Sequence, residues 1–226
     1  MSSSSSSAYW EGIFLNIDIN SIHQKLKDMD ANNTYKMGLY RLQYFYLPQI
    51  DETKYLELES SPDKKVFMRL MLKMENKKND MMDQQMKVED FDQAKVMLKT
   101  TGFIPYHYRE FNQEKWLYKN DVIITYNKYP GIEPFLQVII TKKQNVDSLL
   151  KKLELRPTQV LHQNVDKFYA DIFNKSEKSI REINEITFQN IFDLIKKMSG
   201  KDMTKQQVTK QIRRRRTKTG KLLINQ

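Results

Sequence analysis

The sequence predicts an α+β fold: an antiparallel sheet of about eight strands, flanking helices and a helical C-terminal section. Three observations carry this. Eight short runs rich in β-branched and aromatic residues succeed one another with turn residues between them. Two capped, amphipathic helical segments interrupt the runs at corresponding places. From Val146 onward the apolar period changes from two to about 3.6. Sequential strands favour antiparallel pairing, and eight of them invite closure into a barrel.

Met1 and the six serines after it form a low-complexity leader, expected to be disordered over 1–8. Tyr9–Ile17 has strand character and runs into a helix whose apolar residues Ile22, Leu26 and Met29 fall at i, i+4 and i+7, with Asn20 or Ser21 able to cap it. Strands follow at Leu39–Leu47, Lys54–Glu59 and Val66–Met74, the last alternating cleanly between Val66, Met68, Leu70, Leu72 and Phe67, Arg69, Met71, Lys73. Glu75–Asp83 is charged and turn-like. The pattern then restarts. Gln84–Glu89 reads as a strand, and Asp90 caps a helix bearing Phe91, Ala94, Met97 and Leu98, with Gly102 just past its end. Lys115–Tyr118, Val122–Tyr126 and Phe135–Thr141 complete the strands, the last two separated by Pro130, Gly131 and Pro134. Each half is thus a strand, a capped helix and a run of strands: a weak internal repeat. Three helices are expected around Val146–Leu150, Val165–Phe173 and Phe188–Ile195, with Gly200 ending the last.

Composition narrows the chemistry. There is no cysteine, hence no disulfide, thiolate metal site or cysteine nucleophile. His23, His107 and His162 are too scattered for a ligand pair, and His107 between two tyrosines reads as a turn residue. No apolar run reaches membrane-spanning length, and the start lacks signal-peptide or presequence features, so an intracellular protein, cytoplasmic or nuclear, is expected. The net charge of +10 is unevenly placed: residues 201–226 carry +8 of it. A near-neutral body with a basic tail differs from a uniformly basic nucleic-acid-binding domain.

Several strings resemble the CYTH family, the triphosphate tunnel enzymes that include class IV adenylyl cyclases and thiamine triphosphatases. They are Phe14–Asp18, Val88–Ala94 through Leu98–Phe103, Val122–Pro130, Pro134–Ile139, Tyr169–Phe173 and Ile183–Phe188. The resemblance spans Tyr9 to Phe188 and places a CYTH-like domain at 9–199. It implies an eight-stranded antiparallel tunnel whose inward Arg and Lys hold phosphates and whose inward Glu and Asp bind Mg²⁺ or Mn²⁺. Most of the implied charged positions have changed. The opening Glu-x-Glu-x-Lys falls on Tyr9, Glu11 and Ile13, and Arg-x-Arg falls on Glu57 and Glu59. Later acid pairs fall on Gln85 and Lys87, on Thr125 and Asn127, and on Gln137 and Ile139, with Tyr129 in place of a Trp. The phosphate-binding candidates that remain are Arg69, Lys73 and Lys115; the one metal candidate is Glu11.

A lone carboxylate is a poor Mg²⁺ site, and Glu57 and Glu59 repel a polyphosphate. The expectation is therefore a pseudoenzyme without a cofactor, acting as an interaction or scaffold protein. The alternative is a divergent metal-dependent triphosphatase, or a protein that holds a polyphosphate or nucleotide in the tunnel without turnover. Glu11 fits an ion pair with Lys73 or Arg69 better than a metal. Arg69 and Lys73 fit phosphate holding and pairing with Glu57 and Glu59 equally well. In the tail, 200–226, residues Arg213, Arg214, Arg215, Arg216, Lys218 and Lys221 suit an anionic partner, either RNA, DNA or an acidic protein surface.

Overall fold

Two fifteen-residue strands form the spine of the sheet. The computed structural model describes residues 10–47, 54–72, 81–141, 146–156 and 165–199. In chain order the elements are β1 (Trp10–Phe14), α1 (Ile19–Asp28), β2 (Asn32–Tyr46), β3 (Lys54–Ser60), β4 (Val66–Leu72), β5 (Met81–Val88), α2 (Phe91–Thr100), β6 (Ile104–Tyr118), β7 (Val122–Lys128) and β8 (Phe135–Ile140). After these come α3 (Val146–Lys152), α4 (Val165–Phe173), α5 (Glu177–Arg181), β9 (Glu185–Ile186) and α6 (Ile191–Ser199).

The strand order is β1-β8-β7-β6-β2-β3-β4-β5, antiparallel throughout, with β9 added in parallel to β6. The internal repeat is visible in this order. Each half supplies a strand, a helix and three strands, and the halves exchange their first strands: β1 pairs with β8, and β5 with β4. The long β2–β6 ladder joins them. The α+β class and antiparallel sheet agree with the sequence reading. Closure does not follow, because among the described residues the outer edges of β1 and β5 pair with nothing.

Helices cover one face of each half. Asp18, not Asn20 or Ser21, caps α1, accepting from the N–H groups of both. Ile22 and Leu26 of α1, with Leu149 and Leu150 of α3, pack on Phe14, Trp116, Ile124, Leu136 and Val138. Asp90 caps α2, and Phe91 and Leu98 pack on Phe45, Leu58 and Val66. A third cluster joins α4, α5 and α6 to Ile13, Ile132 and Phe135. Gly131 (φ +69°) permits this approach, since a Cβ there would stand 2.8 Å from Ile191.

Five further readings are corrected. β2 begins seven residues before Leu39, and β6 begins at Ile104 and not Lys115. Asn, Lys and His in their leading halves have poor strand propensity, and the mutual ladder overrides it. His107 therefore lies within a strand, at φ +51°, beside a register shift of the β2–β6 ladder. β5 starts at Met81, inside the segment read as a turn, and the last helix starts at Ile191, after Phe188.

Candidate functional site

The site is the inner face of the sheet, the one turned away from α1, α2 and α3. Alternation and register bring the positions implied by the resemblance onto it together. Glu11 and Ile13 on β1, Gln137 and Ile139 on β8, Thr125 and Asn127 on β7, Lys115 on β6, Glu57 and Glu59 on β3, Arg69 on β4 and Gln85 on β5 all share this face. Lys73 and the basic tail lie outside the described residues.

On β3, β4 and β5 the charges are consumed locally. The Arg69 guanidinium donates through Nη1 to Glu57 (2.7 Å) and Glu59 (2.8 Å), and through Nε to Gln85 Oε1 at 3.0 Å. The three charged side chains are between 14% and 23% exposed, so water competes little for these bonds. Burial pushes the Glu57 carboxyl up, and the bond from Arg69 pulls it back down. Of the two roles open to Arg69, it occupies the ion pair.

On the other half a chain of amide and hydroxyl groups crosses three strands and ends on the Glu11 carboxylate of a fourth. Gln113 Nε2 donates to Asn127 Oδ1 (2.7 Å), and Asn127 Nδ2 donates to Thr125 Oγ1 (2.9 Å). The Thr125 hydroxyl donates to Gln137 Oε1 at 3.3 Å, and Gln137 Nε2 to Glu11 Oε1 at 2.7 Å. Glu11 therefore holds Gln137. Thr125 and Asn127 are buried, so each unmade bond would carry a desolvation cost. Among the described residues no three His, Asp or Glu gather where they would hold a metal ion.

Aromatic rings fill the middle. Tyr40, Phe111, Tyr129, Phe135 and Phe168 stack in sequence, with centroids 5.0, 4.9, 5.8 and 5.5 Å apart. Such spacings lie in the range of favourable offset stacking. Burial, then the Glu59 charge, raises the phenols of Tyr40 (to about 12) and Tyr129, so both stay neutral. Periodicity does not disclose this column, because its rings come from β2, β6, the β7–β8 connection, β8 and α4.

Arg109, which the sequence does not single out, ties the C-terminal section to this face. It donates to the carbonyls of Tyr108, Ile180 and Ile183, and burial lowers its pKa. His107, bonded to the Ile183 carbonyl, is likewise lowered by burial and then by Arg109. On the opposite face Glu114 accepts from His23 (2.9 Å), Asn33 (2.7 Å) and Trp116 (2.9 Å), which fastens α1 to the sheet.

At one end of the inner face is an open cleft of about 640 Å³. Thr34, Tyr35, Lys36 and Met37 of β2 line it, with Lys115 and Leu117 of β6, Ile123 of β7, and Pro62, Asp63 and Lys65 of the β3–β4 turn. Lys115 is thus separated from Arg69, and its ammonium lies 6.0 Å from the Tyr35 ring centroid.

No family model matches the sequence, and no curated protein matches it. Among solved structures the chain is similar to a conserved hypothetical protein from Pyrococcus furiosus, with TM-score 0.50 and 17% identity over 70% of this chain and 98% of that one. It is similar to a candidate adenylate cyclase from Vibrio parahaemolyticus, with TM-score 0.53 and 13% identity over 70% and 95%. A candidate adenylyl cyclase from Hippeastrum with a dominant triphosphatase activity aligns at TM-score 0.45 and 8% identity, over 74% and 96%. At such identities the likeness is one of fold, and that fold is of the CYTH type. Among the described residues no helix is long and apolar enough to cross a membrane.

Proposed function

We infer that this chain is a non-catalytic domain of CYTH-type fold, which works inside the cell by binding partners. One observation carries the reading: Arg69, Glu57, Glu59 and Gln85 on one half of the inner face, and Thr125, Asn127, Gln137 and Glu11 on the other, are bonded among themselves where phosphate and metal ligands are implied. A guanidinium that already holds two carboxylates and an amide has its charge opposed and most of its five N–H donors engaged, which leaves little attraction for a phosphate oxygen. Mg²⁺ favours carboxylate oxygens, and here an amide and hydroxyl chain occupies those positions.

The purified full chain with Mg²⁺ or Mn²⁺ should release no phosphate above a blank from ATP, thiamine triphosphate or tripolyphosphate. Robust release that disappears in Glu11→Gln would establish the triphosphatase alternative instead.

The segment 200–226 fits the same reading as a contact for an anionic partner, since it carries most of the net charge. With about five phosphate contacts, the log–log salt dependence of duplex DNA binding would have a slope near −4.5. A flat salt response, or affinity unchanged on deleting residues 201–226, would remove nucleic acid as the partner of the tail.

A further inference from the structure

We propose that the cleft beside Tyr35 is a docking site for an extended acidic peptide segment, which adds as a strand to the free edge of β2. The inference rests on the reading of this domain as a binding module and names the partner chemistry for a surface distinct from the tail. Three features of the cleft converge on it.

The first is backbone. β2 pairs with β3 only from Arg41 to Phe45, whereas its pairing with β6 extends from Asn32 to Tyr46. Among the described residues the leading part of β2 therefore carries a ladder on one side alone. The reason is local. Pro62, in the turn after β3, packs on Gly38 so closely that a Cβ at 38 would lie 2.3 Å from it. Proline has no N–H to donate, so the β3 side of the ladder stops there. Just beyond it Thr34, Tyr35, Lys36 and Met37 line the cleft, in the stretch of β2 where the ladder to β6 shifts register on either side of Tyr35. A row of unpaired N–H and C=O groups is a template for another chain.

The second feature is charge. Lys36, Lys65 and Lys115 line the cleft against Asp63 alone, a surplus of two positive charges. Asp63 is paired with Lys65, and the described ion pairs include neither Lys36 nor Lys115. Lys115 is half-buried, and Asp63, the one acid lining the cleft, is already paired with Lys65.

The third is the apolar lining of Tyr35, Met37, Pro62, Leu117 and Ile123. Inorganic phosphate has no apolar body to place there, and the volume is of the size that holds a drug-sized ligand. A strand whose inner-face row carries both acidic and aliphatic side chains satisfies all three features. Its backbone pairs with β2, and that one row turns acids toward Lys115 and Lys65 and aliphatic groups over Tyr35 and Pro62, which share the cleft. Nucleic acid supplies no strand-pairing backbone, and the cleft has no arginine fork for a phosphate.

The test uses the full chain and a fluorescein-labelled peptide, Glu-Thr-Val-Thr-Asp-Thr-Val, blocked at both ends, followed by anisotropy. The peptide should bind, its Gln/Asn counterpart about tenfold more weakly, and Lys115→Met should cost about tenfold, as for a charge-assisted bond. Lys36→Met, at an exposed position, is the second variant should Lys115→Met fold poorly by circular dichroism, and should weaken binding in the same direction. Hydrogen exchange should slow at the amides of residues 34–37 when the peptide is bound. Binding that leaves those amides unprotected and is indifferent to both lysine variants belongs to the basic tail and overturns the proposal. So does equal competition by oligothymidylate or tripolyphosphate, and so does absence of binding. Phosphate release plays no part in these readouts, so failure here leaves the non-catalytic reading to its own assay.

Discussion

Replacing Arg69 with methionine should lower the unfolding free energy by about 3–5 kcal/mol near neutral pH, read from urea unfolding. The magnitude comes from what is left behind: Glu57 and Glu59, both mostly out of water, with no cation between them. The loss should also depend on pH. The native Glu57 carboxyl is held above its ordinary value of 4.5 by burial, against the pull of Arg69. The folded protein therefore keeps a proton that the unfolded chain has released, and stability falls as pH rises from that value through the native one. Without Arg69 the native value climbs further and the window widens upward. Arg69→Met should accordingly be less destabilised near pH 4.5 than near neutrality. Replacing all three charged residues by Met and Leu should recover most of the loss. A variant equally destabilised at both pH values, or one losing less than about 1 kcal/mol, would show that the triad is not the desolvated unit described.

Phe135→Ala should cost a further class of energy, about 3–5 kcal/mol, through the hole it leaves. Phe135 is 1% exposed and stands between Tyr129 and Phe168 in the ring column, so sheet and C-terminal helices meet on it. Phe135→Leu keeps most of the volume and should lose markedly less. Unfolding followed by far-ultraviolet circular dichroism distinguishes the two. Near-equal losses would mean that the surroundings collapse onto the site, and that the column is not held rigidly.

The sequence discloses those parts of the molecule governed by local rules. α1 and α2 are legible because each has a clear 3.6-residue apolar period, with Asp90 marking the start of α2; at α1 the cap is Asp18 and not the expected Asn20 or Ser21. β3, β4, β7 and β8 are legible because strand-forming residues fill them between turn signals. The leading halves of β2 and β6 are not, since Asn32, Lys36, Pro105 and His107 have no strand preference, and each half is ordered by the trailing half of the other strand across the ladder. β9 is two residues long and exists through its pairing with Tyr108 and Arg109. The same division holds in the site. Resemblance places Glu11, Glu57, Glu59, Arg69 and Gln137 on one face, and the register agrees. Which partner each side chain takes is a matter of three-dimensional neighbours. Glu11 bonds Gln137, and Lys115 opens on a cleft made partly by the β3–β4 turn.

The exchange of first strands between the two halves also sets the order in which the chain folds. β1 finds its partner only when β8 exists, since Trp10 pairs with Ile140 and Phe14 with Leu136. The spine likewise waits for Tyr118, the end of β6, and closing such long loops is slow compared with local helix formation. During synthesis α1 and the β3–β4 hairpin have the means to form early, while β1 and the leading half of β2 have no strand to join. A nascent chain of this design carries unmatched, partly apolar strands for most of its translation. Its yield in the cell is therefore governed by how long those strands stay apart from other chains, and chaperone supply should affect it more than a modest change in native stability.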